Sequence, residues 1–294
     1  MFLHWSWFLV ALYEINARPH VYSSFVWNGF EYVAVFGLVL MHEFGHALAC
    51  RQVGGRAEQI VLWPLGGVAY VAPPQRPGAM LWSIAAGPLV NVVLAPPLVV
   101  LFLAGHVLGW RAVAPDVFHL VEFICITNLA LLVFNLLPIF PLDGGQILRS
   151  LLWFLVGRAR SLMITAIIGF VGAGALVVLA VLYVHEPLFF VMCAFILLNC
   201  WRGLVHARAL ARIASLPRRQ GFACPDCKQP PLLGAYWRCG KCRQLFDTFE
   251  TLAFCPHCGA QHPVTHCADC GAAHLITAWM VPAPAPPPAP PPPA

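Results

Sequence analysis

Long apolar runs dominate the first two thirds of the chain and set its architecture. Residues 25–50, 79–104, 117–137 and 162–184 are each long enough to cross a bilayer, which takes about 20 apolar residues. A shorter run, 188–204, includes Trp201 and Arg202, an interfacial aromatic beside a basic anchor. The first apolar stretch, 2–13, is short for a span, and with 14–19 it makes a tilted or partial one. The pattern predicts six transmembrane helices, with Pro96 and Pro97 kinking the third. Between the second and third, residues 58–71 place strand-like apolar positions around Pro64-Leu65-Gly66-Gly67. That reads as a β-hairpin, too short to span and dipping into the bilayer. The pattern then predicts a membrane core over 1–210, a basic linker over 211–222 and a small cysteine-rich domain over 223–275. Residues 276–294 read as a disordered, extended Pro/Ala tail.

Composition narrows the class. Of 294 residues 60% are hydrophobic and 10% charged, with mean hydropathy +0.76, whereas soluble domains carry about 25% charged residues. A polytopic membrane protein is expected before any motif is read. The net charge of +5 is no nucleic-acid signature, because the arginines sit mostly at the ends of apolar runs. With both termini on one side, that side collects eleven: Arg51, Arg56, Arg76, Arg149, Arg158, Arg160, Arg202, Arg208, Arg212, Arg218 and Arg219. The other side has only Arg18 and Arg111. The bias places both termini in the cytoplasm. No cleavable signal peptide is expected, since Met1-Phe2-Leu3-His4 has no basic residue of the kind that opens one.

The chemistry lies in the second run. His42-Glu43-Phe44-Gly45-His46 is an HExxH sequence inside an apolar helix, after an uncharged stretch over 32–41. Residues four apart share a helix face, so both imidazoles reach one zinc ion, with Glu43 beside the vacant coordination position as general base toward water. Ionisable groups at membrane depth are costly and mark function. At 1.5 Å per residue, His46 lies about 8 Å and His42 about 13 Å inward from the helix end at Arg51, so water enters from the cytosol. The structural alternative is two buried, hydrogen-bonded histidines. Zinc hydrolases usually add a third protein ligand. Asp143 is the candidate: Pro138 and Pro141 end the fourth span, and Gly144-Gly145 permit a close backbone approach on the same membrane side.

His42–His46, Gly87-Pro88-Leu89-Val90-Asn91 and Asn135…Leu142-Asp143-Gly144-Gly145, in that order, resemble the site-2 protease family of intramembrane zinc metalloproteases, over roughly 1–210. The resemblance implies that His42, His46 and Asp143 bind a catalytic zinc, that Glu43 is the base, and that Asn135 holds substrate or the developing oxyanion. It also implies that the hairpin can present a strand edge to an unwound substrate. Asn91 reads better as a helix-packing amide than as a site residue. The core is most similar to the compact, sporulation-type branch, and the expected location is a bacterial inner membrane. The 106–115 loop is too short for an inserted PDZ domain, and a cysteine-rich module stands where that branch carries paired nucleotide-binding modules.

Eight of the twelve cysteines form four CxxC pairs. They read as two successive four-thiolate zinc sites, Cys224, Cys227, Cys239 and Cys242, then Cys255, Cys258, Cys267 and Cys270. Reduced thiolates fit a cytosolic face. His257, His262 and His266 are spare ligands, and Cys50, Cys125, Cys193 and Cys200 read as helix core. The expected whole is an all-α polytopic membrane protein of about six transmembrane helices, with a short membrane-associated β-hairpin and a small C-terminal zinc-ribbon domain. It would hold one catalytic and two structural Zn2+. Its partners are the lipid bilayer, a transmembrane protein substrate and a regulatory protein at the ribbons. The ribbons carry acidic as well as basic residues, so nucleic acid is not expected. The rival class is a non-catalytic zinc-binding scaffold; a zinc transporter would need ligands across the bilayer rather than on one side.

Overall fold

The computed structural model describes residues 2–3, 21–63, 66–184 and 187–281. Their contacts divide the chain into two compact units, Met1–Leu210 and Ala211–Ala294. In the first, β1 (Phe2–Leu3) is followed by α1 (Phe25–Gln52), β2 (Arg56–Trp63), β3 (Gly66–Ala72) and α2 (Pro77–Val107). Then come α3 (Trp110–Val113), α4 (Pro115–Leu136), α5 (Asp143–Val156), α6 (Arg158–Leu179) and α7 (Pro187–Ala214). Among the described residues five helices are long and apolar enough to cross a membrane: α1, α2, α4, α6 with its π-helical extension, and α7. The chain is a multi-pass membrane protein. Of the expected first segment, Phe2–Leu3 form a strand rather than helix, because they pair in parallel with Val61–Leu62. The rest of that segment lies outside the described residues.

The hairpin is where the apolar pattern put it. β2 and β3 pair antiparallel from Arg56↔Ala72 to Trp63↔Gly66, in a sheet of order β1-β2-β3. Ala57 and Val71 pack against Ala47 of α1, the helix that carries HExxH. The Ser24 hydroxyl caps α1 by accepting from the N–H of Val26. α2 opens with Pro77, where a missing N–H is harmless, and contains Pro88, Pro96 and Pro97.

One helix was not visible as an apolar run. α5 has 14 residues, too few to span, and Gln146, Arg149 and Ser150 interrupt its apolar positions. α5 is not among the five helices long and apolar enough to cross. Joining α4 to α5, residues 137–142 lie in a groove between α6 and α7. Ile139 is buried with Ala173, Ile196 and Cys200, and Cys200 donates through Sγ to the Phe140 carbonyl at 2.9 Å. The groove is cut by glycines: a Cβ on Gly172 would fall 2.6 Å from Ile139 Cγ1, and one on Gly169 would fall 3.1 Å from the Phe140 backbone.

In the second unit, β4 (Trp237–Arg238) pairs with β5 (Leu245–Phe246), and β6 (Val264–His266) with β7 (Ala273–Leu275). The module is larger than 223–275 on both sides. Arg218 pairs with Asp269 and Arg219 with Asp247, both at 2.6 Å, so residues expected as linker are tied into it. At the other end Ile276–Trp279 form a 3-10 turn, and Trp279 is buried with Phe249, Cys224 and Cys267. That burial overrides the expectation of a tail beginning at 276. Residues 282–294 lie outside the described residues.

Candidate metal centres

His42 and His46 stand one turn apart on the buried face of α1, and Asp143 is the first residue of α5. The loop in its glycine groove delivers it. Gly144 and Gly145 are required for this approach: a Cβ on Gly144 would lie 2.3 Å from the Leu136 carbonyl oxygen, and one on Gly145 2.5 Å from the Ile139 carbonyl carbon. Asp143 Oδ2 lies 3.0 Å from His42 Nε2 and 3.4 Å from His46 Nε2, and the two Nε2 atoms are 3.2 Å apart. Glu43 is buried on the same helix.

Hydrogen bonding fixes both imidazoles. His46 Nδ1 faces the Ser83 carbonyl at 2.9 Å, and a carbonyl only accepts, so Nδ1 carries the proton. His42 is fixed through two amides. Asn128 Nδ2 donates to the Asn91 carbonyl at 3.0 Å, which turns Asn128 Oδ1 toward Asn91 Nδ2 at 2.8 Å. That leaves Asn91 Oδ1 to accept from His42 Nδ1–H at 2.7 Å. With Nδ1 as the donor, each neutral imidazole turns its Nε2 lone pair toward the other and toward Asp143. That is the tautomer and orientation a metal-binding histidine needs.

The spacing fits zinc. Tetrahedral bonds of about 2.0–2.1 Å put ligand atoms about 3.3–3.4 Å apart, close to the observed triangle. Space for the ion comes from α2. A Cβ on Gly87 would lie 2.2 Å from His46 Nε2 and 2.8 Å from His42 Nε2. Gly45, inside HExxH, lets α2 come close, since its Cβ would meet the Ala86 carbonyl oxygen at 2.5 Å.

Among the expected residues, His42, His46 and Asp143 converge. Asn135, half-buried near the end of α4, has no hydrogen bond to them among the described residues. Asn91, which the sequence favours as a helix-packing amide, and Asn128, to which it gives no role, are both fully buried and hold His42. An amide in each of two apolar helices was the available signal.

The eight ribbon cysteines also converge, but in a nested order. One group is Cys224, Cys227, Cys267 and Cys270, the other Cys239, Cys242, Cys255 and Cys258. The expectation of two successive sets is corrected. The reason is closure of the module's ends: Ala223 N–H donates to the Trp279 carbonyl, and Phe222 bridges to Met280, bringing the first and last CxxC turns together. Each turn repeats one design, with positive φ after the second cysteine at Lys228, Arg243, Gly259 and Gly271. Facing sulfurs, such as Cys224–Cys270 and Cys242–Cys255, are 3.6 Å apart. A tetrahedral zinc with bonds of about 2.3 Å spaces them about 3.8 Å. The backbone N–H of Cys242 is the main cause that pulls the Cys239 thiol down to about 5. Burial pushes Cys267 up to about 11. Thiols so crowded do not all ionise without a cation among them. Of the spare histidines, His262 approaches a sulfur, with Nε2 3.2 Å from Cys239 Sγ.

A helical membrane bundle holding a His-His-Asp triad beside a buried Glu defines a zincin-type site of the intramembrane class. The model of Peptidase family M50 matches residues 30–112 and 106–180, and the chain belongs to this family. A zinc metalloprotease of Methanocaldococcus jannaschii is 32% identical over 164 residues, 55% of this chain and 45% of that protein. Stage IV sporulation protein FB of Bacillus subtilis is 35% identical over 115 residues, 38% of this chain and 36% of that one. The chain thus spans less than half the length of these two relatives. The solved site-2 protease of Methanocaldococcus jannaschii aligns with TM-score 0.48 and 24% identity, covering 69% of this chain and 89% of that chain.

Proposed function

We propose that the protein is an intramembrane zinc metalloprotease, hydrolysing peptide bonds in transmembrane segments of protein substrates near the cytosolic face. The convergence of His42, His46 and Asp143 beside buried Glu43, within helices that cross a membrane, carries this reading. Bound zinc would supply a Lewis acid that polarises the scissile carbonyl and lowers the pKa of the attacking water. His42, His46 and Asp143 hold the ion, the first two through tautomers set by Asn91 and Ser83. Glu43 accepts the proton from the attacking water and returns it to the leaving amine. Asn135, just before the loop that delivers Asp143, is assigned to substrate or oxyanion binding. The protein is assigned to a bacterial inner membrane with both termini cytoplasmic, and the arginine bias supports that orientation. The two thiolate sites hold structural zinc, and the ribbons recruit substrate or a regulatory protein.

The test is co-expression with a panel of single-span membrane proteins, comparing the unaltered protein with Glu43→Gln. Cleavage should disappear in the variant while three zinc ions per chain remain. Cleavage undiminished by Glu43→Gln rejects the mechanism; a panel left intact by both forms, with zinc bound, favours a scaffold acting through its ribbons.

A further inference from the structure

Away from the His-His-Asp triad, α2, α5, α6 and α7 border an open cavity of about 330 Å³, within the range of small-ligand sites. Arg149, Arg158, Arg202 and His206 line it, with Phe140 and Gly203 forming part of the wall. No carboxylate lines it among the described residues. Arg149 Nε is buried without a hydrogen-bond partner, and the Arg158 guanidinium lies 5.7 Å from the centre of the Trp153 ring. Burial, then the neighbouring Arg158, holds Arg149 below its ordinary pKa. Clustered guanidinium groups in a half-buried site repel one another and lose hydration, so the arrangement is costly until an anion enters.

The position indicates which anion. Arg158 opens α6, Arg202 and His206 lie where the apolar run of α7 gives way to basic residues, and Gln75 precedes α2, so the cavity sits at one membrane end. Phospholipid phosphates lie at that depth, and a guanidinium fork matches a pair of phosphate oxygens. We propose that this cavity is a binding site for a phosphate-bearing anion, the headgroup of an anionic phospholipid or free phosphate. Its occupant would rest against Phe140, in the loop that ends at Asp143.

The experiment uses the full chain, delipidated in a neutral detergent. Affinities are measured for dioctanoyl phosphatidylglycerol, inorganic phosphate and zwitterionic dioctanoyl phosphatidylcholine. Saturable binding of the first or second is expected, and which of them binds identifies the source. The pair Arg149→Gln/Arg158→Gln should weaken it at least about tenfold, because charge-assisted bonds are lost. Arg160→Gln should leave it unchanged, since Arg160 is exposed and does not line the cavity. If the pair fails to fold, as judged by lost zinc, Arg202→Gln at the exposed rim should still weaken binding severalfold. The proposal is overturned if neither anionic probe saturates, if phosphatidylcholine binds as tightly as phosphatidylglycerol, or if Arg160→Gln weakens binding as much as the cavity substitutions.

Discussion

At the scale of single residues, two amides decide what two histidines can do. Asn128 orients Asn91, and Asn91 holds the proton of His42 on Nδ1, so Nε2 is free to bind metal. Replacing Asn91 with Leu keeps similar bulk and removes the acceptor, so the His42 ring loses both orientation and tautomer. Such outer partners are worth about 10–100-fold in metal affinity. Competition of Asn91→Leu against a graded chelator should show a drop of that size at the membrane site, with the two thiolate sites unaffected. Gly87 acts by having no side chain. Gly87→Ala drives a methyl group against His46 Nε2, and on the proposed count of three zinc ions metal analysis should give two per chain. A Gly87→Ala protein that keeps the third ion would show that the space beside the histidines is not where zinc sits.

At the scale of elements, what could be read from the sequence followed from periodicity and length. HExxH on an apolar helix and the CxxC pairs are local patterns, so they were legible, as were the four long apolar runs, the shorter fifth and the hairpin. α5 was not, because its apolar run, residues 151–156, is far too short for a span and Gln146, Arg149 and Ser150 interrupt the positions before it. The seat of the 137–142 loop was also hidden. It depends on Gly169 and Gly172, which in sequence look like ordinary small residues of a membrane helix, and only the packed structure shows a loop pressed against them. This gives a prediction remote from the histidines. Gly172→Leu should push Ile139 out of its groove, displace Asp143 and cost the membrane zinc together with any proteolysis. Gly174→Leu is the control, since a Cβ there meets nothing within 4 Å. Metal content and cleavage measured for both variants should separate them; equal effects would mean that bulk in α6, not the loop's seat, is being felt.

At the scale of the whole molecule, the ribbon module shows how long-range pairing escapes sequence reading. Four identical turns leave the choice of partners open, and the nearest-neighbour assignment failed because Phe222, Ala223, Trp279 and Met280 join the ends of the module. The nested order makes a distinctive prediction. Cys267→Ser/Cys270→Ser removes half of one site only. Cys224 and Cys227 should then react rapidly with an alkylating reagent, while Cys239, Cys242, Cys255 and Cys258 stay protected by their shared ion. With successive sites the exposed pair would instead be Cys255 and Cys258. Mass mapping of labelled cysteines, with zinc counted on the same sample, distinguishes the two cases. Because Cys224 and Cys267 share one buried cluster with Trp279, the variant should also lose the outer end of the module and gain protease sensitivity near residues 218–222. Persistence of that end without its zinc would mean that the aromatic cluster, rather than the metal, closes the module.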